Sequence, residues 1–347
     1  MADDGEEDFT WVDRGDAALC SWLHALRAQR SHFEATLRDL CAGGGSLHAV
    51  CFTNGLSHLG LNRAGAGGWF YREWAPAATA CSLVGDFNGW DTSRHPCQRD
   101  ASGVFEVFVP DDGPWPLRAG GRYKAALSVR SRNPSEGERL VHRVPAWCRR
   151  TVQDPTTGEL FAVAVAPETL LSYSWRHARP EPSSHPPLRV YEAHVGMSST
   201  EPVIAGWSHF RAHVLPRVVA LGYTALLLLG VAEHGYYGSF GYQVTSFFAP
   251  SSRFGSPAEL QALIDAAHGY TTPPRHPLAP GLCMAFVRRG VYFGHCRGFF
   301  VAVLRVRVCG RYGLLVLFEI VHAHASSNEE EGLSVFDGSD SQCAAAP

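Results

Sequence analysis

Residues 69–74 carry the sequence WFYREW, and this stretch sets the fold of the first half of the chain. From about Gly67 the hydrophobic pattern has a period of two, which is typical of strands that alternate their side chains between two faces. Further segments of this kind, separated by turn-forming residues, lie at 81–84, 104–109 and 122–127. Short strands at this spacing predict an antiparallel β-sandwich of about 100 residues.

Upstream of this segment the period changes to that of a helix. Apolar side chains in residues 16–41 recur about every 3.6 residues, and Gly43, Gly44 and Gly45 follow them. One or two amphipathic helices are therefore expected. We assign residues 1–66 to an N-terminal helical segment and residues 67–166 to the β-sandwich.

Downstream, a proline-rich stretch at residues 180–187 predicts an extended linker, which we bound at 167–187. Beyond it, apolar strand patterns alternate with helical ones. The strands are expected at 188–195, 224–229 and 314–321, and the helices at 208–221 and from Ser256 to Ala267. Ser256 and Glu259 form a capping-box pattern around Pro257. Residues 188–347 thus open a parallel β/α fold, and periodicity alone leaves barrel and doubly wound arrangements open.

Residues 269–312 interrupt this alternation. They contain seven Arg, three Cys and four Pro, and neither Asp nor Glu. Compact α/β units join a helix to the next strand in roughly 2–6 residues. We therefore interpret the segment as an irregular insertion, and favour a stretch that selection has not shaped, such as a translated intron, over a mobile loop.

Composition excludes several classes of function. The net charge of −3 gives no basic footprint, so we expect neither nucleic-acid binding nor attraction to an anionic membrane. The ten Cys show no C-x-x-C spacing, and we expect no metal and no cofactor. The acidic start resembles neither a signal nor a transit peptide, which favours a cytoplasmic location without excluding a plastid. Oligomeric state stays open.

Several longer motifs resemble eukaryotic 1,4-α-glucan branching enzymes, which act on starch or glycogen and belong to the α-amylase superfamily. The stretches similar to the start of their catalytic barrel are 191–199 (YEAHVGMSS), 233–245 (EHGYYGSFGYQVT) and 247–255 (FFAPSSRFG). Those similar to their carbohydrate-binding β-sandwich are 73–76 (EWAP) and 85–90 (GDFNGW). Residues 321–328 and 332–341 resemble the end of the third barrel strand and the loop after it. The resemblance implies an immunoglobulin-like sandwich followed by an incomplete (β/α)8 barrel, whose first three strands lie in 188–347.

The same resemblance implies an activity. Branching enzymes cleave an α-1,4 glucan and rejoin the piece through an α-1,6 bond with retention, which requires two carboxyl groups about 5–5.5 Å apart. In the family these groups, and a third supporting Asp, follow barrel strands four, five and seven. No segment of this chain resembles those motifs. We therefore expect no catalytic residue here and an inactive chain as given.

What the resemblance leaves is an edge of a sugar site. Tyr242 would lie against a sugar ring, His324 would donate to a hydroxyl of the same sugar, and Glu319 stands where the family has Asp. Reading His322 and His324 as metal ligands is disfavoured because no partner cluster accompanies them. Trp74 and Trp90 are candidates for a glucan platform, although packing in the core or between domains is favoured for both.

Two functional hypotheses follow. The first is a branching enzyme of starch or glycogen synthesis represented by an incomplete product. The alternative is a non-catalytic protein that binds α-glucan polysaccharide through the sandwich and the N-terminal helix. A debranching hydrolase of the same superfamily is disfavoured by the motif at 191–199.

Overall fold

The chain forms two compact units, Met1–His58 and Leu59–Pro347. The structure is a computed structural model, and the residues it describes are 17–41, 55–65, 67–131, 135, 137–166, 172–180, 187–270, 313–321, 325–329 and 331–339. Within these residues, no helix is both long enough and apolar enough to cross a membrane.

The first unit is helical, as the 3.6-residue period predicts. A 3-10 turn at Ala17–Trp22 leads into helix α1, Leu23–Cys41, and a single turn, α2, follows at Gly55–His58. An ion pair four residues apart, between Arg30 and Glu34, joins neighbouring turns of α1 at 2.7 Å. It is an exposed pair and adds little stability.

In the part of the chain that the structure describes, nine strands build the β-sandwich at the start of the second unit. They are β1 Gly60–Ala64, β2 Gly68–Trp74, β3 Ala80–Gly85, β4 Gln98–Arg99, β5 Val104–Pro110, β6 Arg122–Arg130, β7 Glu138–Arg143, β8 Thr151–Gln153 and β9 Leu160–Val163. One sheet has the order β1-β2-β5-β4; in the other, β3-β6-β9-β8 are joined by β7, which also pairs with β6. Strand β1 lies upstream of residue 67, where we placed the start of the sandwich.

The alternation in residues 69–74 explains how the sandwich closes. Trp69, Tyr71 and Glu73 point into the core, whereas Trp74 on the opposite face is exposed. Side chains from both sheets complete this core, among them Leu83, Phe105, Leu127 and Leu160. The fold class predicted for this region is confirmed.

The second half of the unit is a parallel β/α region. Strands β10 Val190–His194, β11 Ala225–Leu229 and β14 Leu315–Phe318 form a parallel sheet in the order β10-β11-β14. Helix α3 lies between β10 and β11 and has three turns, Trp207–His209, Phe210–Val214 and Leu215–Ala220. Between β11 and β14 lie an antiparallel ribbon, formed by β12 Ala232–Glu233 and β13 Ser246–Pro250, and helix α4 Pro257–Gly269. The middle turn of α3 is a π-helix.

Helix α4 begins at the predicted capping box. The backbone N–H of Glu259 donates to Ser256 Oγ at 3.3 Å, and the Ser256 N–H donates to Glu259 Oε2 at 2.8 Å. The helix buries Leu260, Leu263 and Ala267 against Trp207 and other residues of a second core.

The end of α4 and the start of β14 adjoin each other. The Leu314 N–H donates to the Ala267 carbonyl at 3.0 Å, and Gly313 packs so closely on His268 that a Cβ there would lie 2.1 Å from the His268 carbonyl oxygen. The predicted insertion at 269–312 lies, beyond Tyr270, outside the described residues. Because the residues on either side of it touch, the helix-to-strand connection is short without it.

Part of the predicted linker is fixed to the β/α region. In residues 172–180, the backbone N–H groups of Arg176 and His177 and the Tyr173 phenol all donate to the buried carboxylate of Asp265 on α4, at 3.0–3.2 Å. Residues 167–171 and 181–186 lie outside the described residues. This part of the linker therefore packs on α4.

Candidate glucan-binding site

The candidate sugar site lies on one face of the parallel sheet. Glu192 on β10 is in register with Leu227 of β11, which is in register with Leu317 of β14. Glu319 follows β14 and shares the face of Leu317, because residues two apart in an extended strand point the same way. The Glu319 N–H donates to the Leu228 carbonyl at 3.0 Å and so continues the sheet pairing. Glu192 and Glu319 are thus brought to one face.

Tyr242 joins these two carboxylates. Its phenol lies near the Glu319 carboxylate, and the charges of Glu319 and Glu192 both act on it. Burial raises the pKa of Tyr242, and the two carboxylates raise it further. Burial also raises the pKa of Glu319, the charge of Glu192 adds to that rise, and the nearby Tyr242 phenol opposes it. The structure therefore brings together two of the predicted residues, Tyr242 and Glu319.

This grouping has the chemistry of a hydroxyl-binding site. Two carboxylates accept hydrogen bonds from hydroxyl donors, and the face of the Tyr242 ring suits the C–H surface of a pyranose. Within the described residues, no group of three His, Cys, Asp or Glu side chains is arranged to hold a metal ion. His324, the third predicted contact, lies outside the described residues, as do His322 and Ala323.

The segment of residues 234–245, which we call the Tyr242 loop, has a backbone that only particular residues permit. Gly241 has a φ of +90°, and a Cβ there would lie 2.2 Å from the Gly230 Cα. Any side chain at residue 241 would push the loop away from the end of β11. The Tyr242 N–H donates to the Ser239 carbonyl at 2.9 Å, which fixes the turn before the aromatic ring.

Glu233 and Glu192 play different parts. Glu233 is fully buried and accepts hydrogen bonds from four donors. Glu192 is exposed and faces Tyr242. Sequence reasoning missed Glu192 as a site residue, although its place one strand over from Glu319 was a usable signal.

The two candidate platform tryptophans lie in different parts of the sandwich. Trp74, on β2, is 48% exposed and donates its indole N–H to the Ser102 carbonyl at 3.0 Å, so it is not a core residue. Trp90 follows β3, and its ring meets Phe161 of β9 edge to face at 5.3 Å. Trp90 also has a φ of +62°, a conformation that costs energy for any residue other than glycine. Trp74 and Trp90 are therefore two separate features.

Ring stacking and hydrogen bonds connect the sandwich to the β/α region. Trp147 stacks on Phe248 of β13 with ring centroids 4.5 Å apart. The Thr151 hydroxyl donates to Glu233 at 2.6 Å. Asp337, after β14, accepts from the Ala77 N–H at 2.9 Å. These contacts fix the position of the sandwich relative to the parallel sheet.

Comparisons with known proteins agree with the motifs. Residues 58–147 match the family model of Carbohydrate-binding module 48 (Isoamylase N-terminal domain). The chain is 36% identical over 343 residues to the 1,4-alpha-glucan-branching enzyme of Emericella nidulans, which covers 98% of this chain and 42% of that protein. It is 39% identical over 327 residues to the 1,4-alpha-glucan-branching enzyme 2-2, chloroplastic/amyloplastic, of Arabidopsis thaliana, which covers 94% of this chain and 34% of that protein.

A mammalian relative gives the same picture. The 1,4-alpha-glucan-branching enzyme of Equus caballus is 33% identical over 327 residues, 94% of this chain and 39% of its own length. The resemblance indicated by the sequence motifs is thereby confirmed. The chain spans between 34% and 42% of the length of these three relatives.

Proposed function

From this similarity to 1,4-alpha-glucan-branching enzymes, we propose that the chain serves α-glucan branching and that its own part is to bind the polysaccharide. Branching here means cleavage of an α-1,4 glucan and transfer of the piece to an α-1,6 position. The single observation that supports this best is the convergence of Tyr242 and Glu319. The family motifs single out both residues, and they meet at one face of the parallel sheet.

The geometry suggests how a glucan would be held. A sugar ring on Tyr242 would present hydroxyl groups to Glu319 and Glu192, which accept hydrogen bonds. The phenol, which lies near Glu319, would help to orient that carboxylate. Glu319 has one more methylene than the Asp at this place in the family, and a displacement of about 1 Å can cost much at a reaction centre. Binding is therefore expected to tolerate this change better than catalysis would.

The β-sandwich would supply a second contact with the glucan. We favour Trp90 over Trp74 as its aromatic surface, because Trp90 keeps a strained backbone while its ring stays partly exposed. Strained residues persist where the surrounding structure holds them and often mark functional sites. Arg122 and Lys124 cover the nearby Phe161 ring at 4.9 and 4.7 Å, which leaves Trp90 as the accessible ring of this group.

We also propose that this chain, acting alone, does not form branches. The support is that none of its segments resembles the family motifs for the nucleophile, the acid or the third Asp. The alternative function, a non-catalytic glucan-binding protein, shares this expectation. The sandwich favours this alternative, because its two sheets enclose a core of their own. The two hypotheses differ in one respect. In the first, the chain takes part in branch formation together with further sequence, and in the alternative it only binds glucan.

The test combines binding with product analysis. The purified chain is sedimented with glycogen, and separately incubated with linear amylose, whose product is then debranched with isoamylase and its chain lengths are measured. We expect the chain to sediment with glycogen and the amylose to yield no new short chains. Sedimentation no greater than that of an unrelated protein would contradict the binding proposal, and new α-1,6-linked chains would contradict the proposed inactivity.

A further inference from the structure

The carboxylate of Glu233 is the centre of a buried hydrogen-bond network at the base of the Tyr242 loop. Its Oε2 accepts from the Ser252 N–H at 2.8 Å and from the Thr151 hydroxyl at 2.6 Å. Its Oε1 accepts from the His234 N–H at 3.1 Å and the Ser251 hydroxyl at 3.3 Å, and the Arg253 guanidinium lies 3.5 Å away. Four donors and one cation satisfy a carboxylate that has no access to water.

Both ends of the Tyr242 loop are held at this point. The Thr245 N–H donates to the Glu233 carbonyl at 2.8 Å, and the Thr245 hydroxyl donates to the same oxygen at 3.2 Å. The Arg253 guanidinium donates to the carbonyl oxygens of His234 and Gly235 at the start of the loop. The loop therefore leaves and returns at the Glu233–Arg253 pair.

One of the donors to Glu233 belongs to the sandwich. Thr151 is the first residue of β8, and it is 3% exposed. The hydrogen bond from its hydroxyl, at 2.6 Å, is the shortest of the four that the Glu233 carboxylate accepts. Hydrogen bonds to charged groups are about twice as strong as those between neutral groups. Loss of this hydroxyl would leave part of a buried charge unsatisfied, because water cannot replace it.

We propose that Thr151 is a positioning residue for the Tyr242 site. Through Glu233 and Arg253 it fixes the two ends of the Tyr242 loop, so the sandwich sets the place of the Tyr242 ring. The identity of the ligand at this ring, an α-glucan, rests on the proposed function. The role of Thr151 in ordering the loop is independent of the proposed function.

The experiment uses the whole chain and two readouts. Hydrogen–deuterium exchange reports the order of the loop, whose Ser239, Phe240, Tyr242 and Thr245 amides are hydrogen-bonded. Titration calorimetry with maltoheptaose reports ligand binding. The variants are Thr151→Val, which removes the hydroxyl at nearly constant shape, and Thr151→Ser, which keeps it. The control is Thr79→Val, since the Thr79 hydroxyl bonds only within its own sheet, to the Ser128 carbonyl at 3.1 Å.

For Thr151→Val we expect amide exchange in residues 236–245 to rise about tenfold while exchange in β6 stays unchanged. We expect the Kd for maltoheptaose to rise about fivefold, a size typical of coupling through a contact network. Thr151→Ser should restore both values to within about twofold, because the hydroxyl is retained. Thr79→Val should change neither.

The results test separately whether Thr151 orders the loop and whether this order affects binding at Tyr242. Wild-type exchange in residues 236–245 of Thr151→Val would overturn the positioning role, whether or not any sugar binds. Raised exchange with an unchanged Kd would overturn the link to the Tyr242 site. If the wild-type chain binds no maltoheptaose, the proposed function fails while the exchange data still decide on Thr151. Should Thr151→Val not fold, Thr151→Ala replaces it, with Thr151→Ser as the rescue.

Discussion

The β-sandwich and the parallel sheet bury their strands very differently. All four residues of β9 in the sandwich are buried, whereas no residue of β10 in the parallel sheet is, and Val190 is 41% exposed. Parallel sheets normally have both faces covered. The sandwich thus closes its core with its own two sheets, while the parallel sheet has a well-covered centre at β11 and half-covered strands on either side.

The largest expected effect compares two leucines. Leu127 is fully buried in the sandwich, and Leu317 on β14 is only partly buried. Leu127→Ala should lower the free energy of unfolding by about 3–4 kcal/mol, since it removes buried methyl groups and leaves a cavity. Leu317→Ala should cost about 1–2 kcal/mol, since water already reaches that position. Urea titration of both variants measures the contrast, and equal losses would contradict it.

A second prediction concerns a weakness within the sandwich. Burial raises the pKa of Glu73 from about 4.5 to about 7, and hydrogen bonds from Ala146 N–H, Tyr71 and the Trp74 backbone only partly offset the rise. The folded state therefore binds a proton more tightly than the unfolded state does. Stability from this group is fully present below pH 4.5 and is lost as the pH rises to about 7.

The variant Glu73→Gln should remove this pH dependence. Between pH 4.5 and pH 8 the wild-type chain should lose about 3 kcal/mol of unfolding free energy relative to Glu73→Gln. Urea titrations across this range measure the difference. If the difference in unfolding free energy between the two proteins is the same at all pH values, Glu73 does not have a raised pKa in the folded state.

A smaller effect on stability is expected at the start of α4. Ser256→Ala removes the capping hydroxyl that accepts from the Glu259 N–H, and should destabilise the β/α region by about 1 kcal/mol. Amide exchange in α4 should rise while that of β6 in the sandwich stays constant. Equal changes in both regions would show that the two unfold as one unit.

The smallest effect is expected from a large deletion. Removal of residues 271–312 joins Tyr270 to Gly313, whose neighbours Ala267 and Leu314 are already hydrogen-bonded. We expect the melting temperature to change by no more than about 3 °C, because the entropy of closing a connection depends only weakly on its length. Thermal unfolding of the shortened chain measures this. Loss of the cooperative transition would show that the segment is needed by the parallel sheet.

The sequence predicted the features that depend on local pattern. Strands β2, β3, β5 and β6, the helical period of α1 and the capping box of α4 all follow from periodicity and capping chemistry. The strands that it missed carry little pattern of their own. Strand β1 is recognisable only beside β2, and strands β7 to β9 lack a clear alternation of their own.

The candidate site divides in the same way. Tyr242 and Glu319 were found through motifs, and in the structure the Glu319 carboxylate raises the pKa of the Tyr242 phenol. The role of Glu192 depends on the register of three strands, and that of Thr151 on a contact spanning 82 residues of sequence. Glu192 lies within the motif at 191–199, but that motif does not show that it faces Glu319, and no motif includes Thr151.

Calorimetric titration of the whole chain with maltoheptaose tests α-glucan binding most directly. Tyr242→Ala and Trp90→Ala probe the two proposed contacts, and Leu221→Ala, at an exposed leucine that follows α3, serves as the control. We expect saturable binding by the wild-type chain, a Kd raised about tenfold in Tyr242→Ala and about threefold in Trp90→Ala, and no change in Leu221→Ala. No binding by the wild-type chain, or one Kd for all four proteins, would contradict the proposed site.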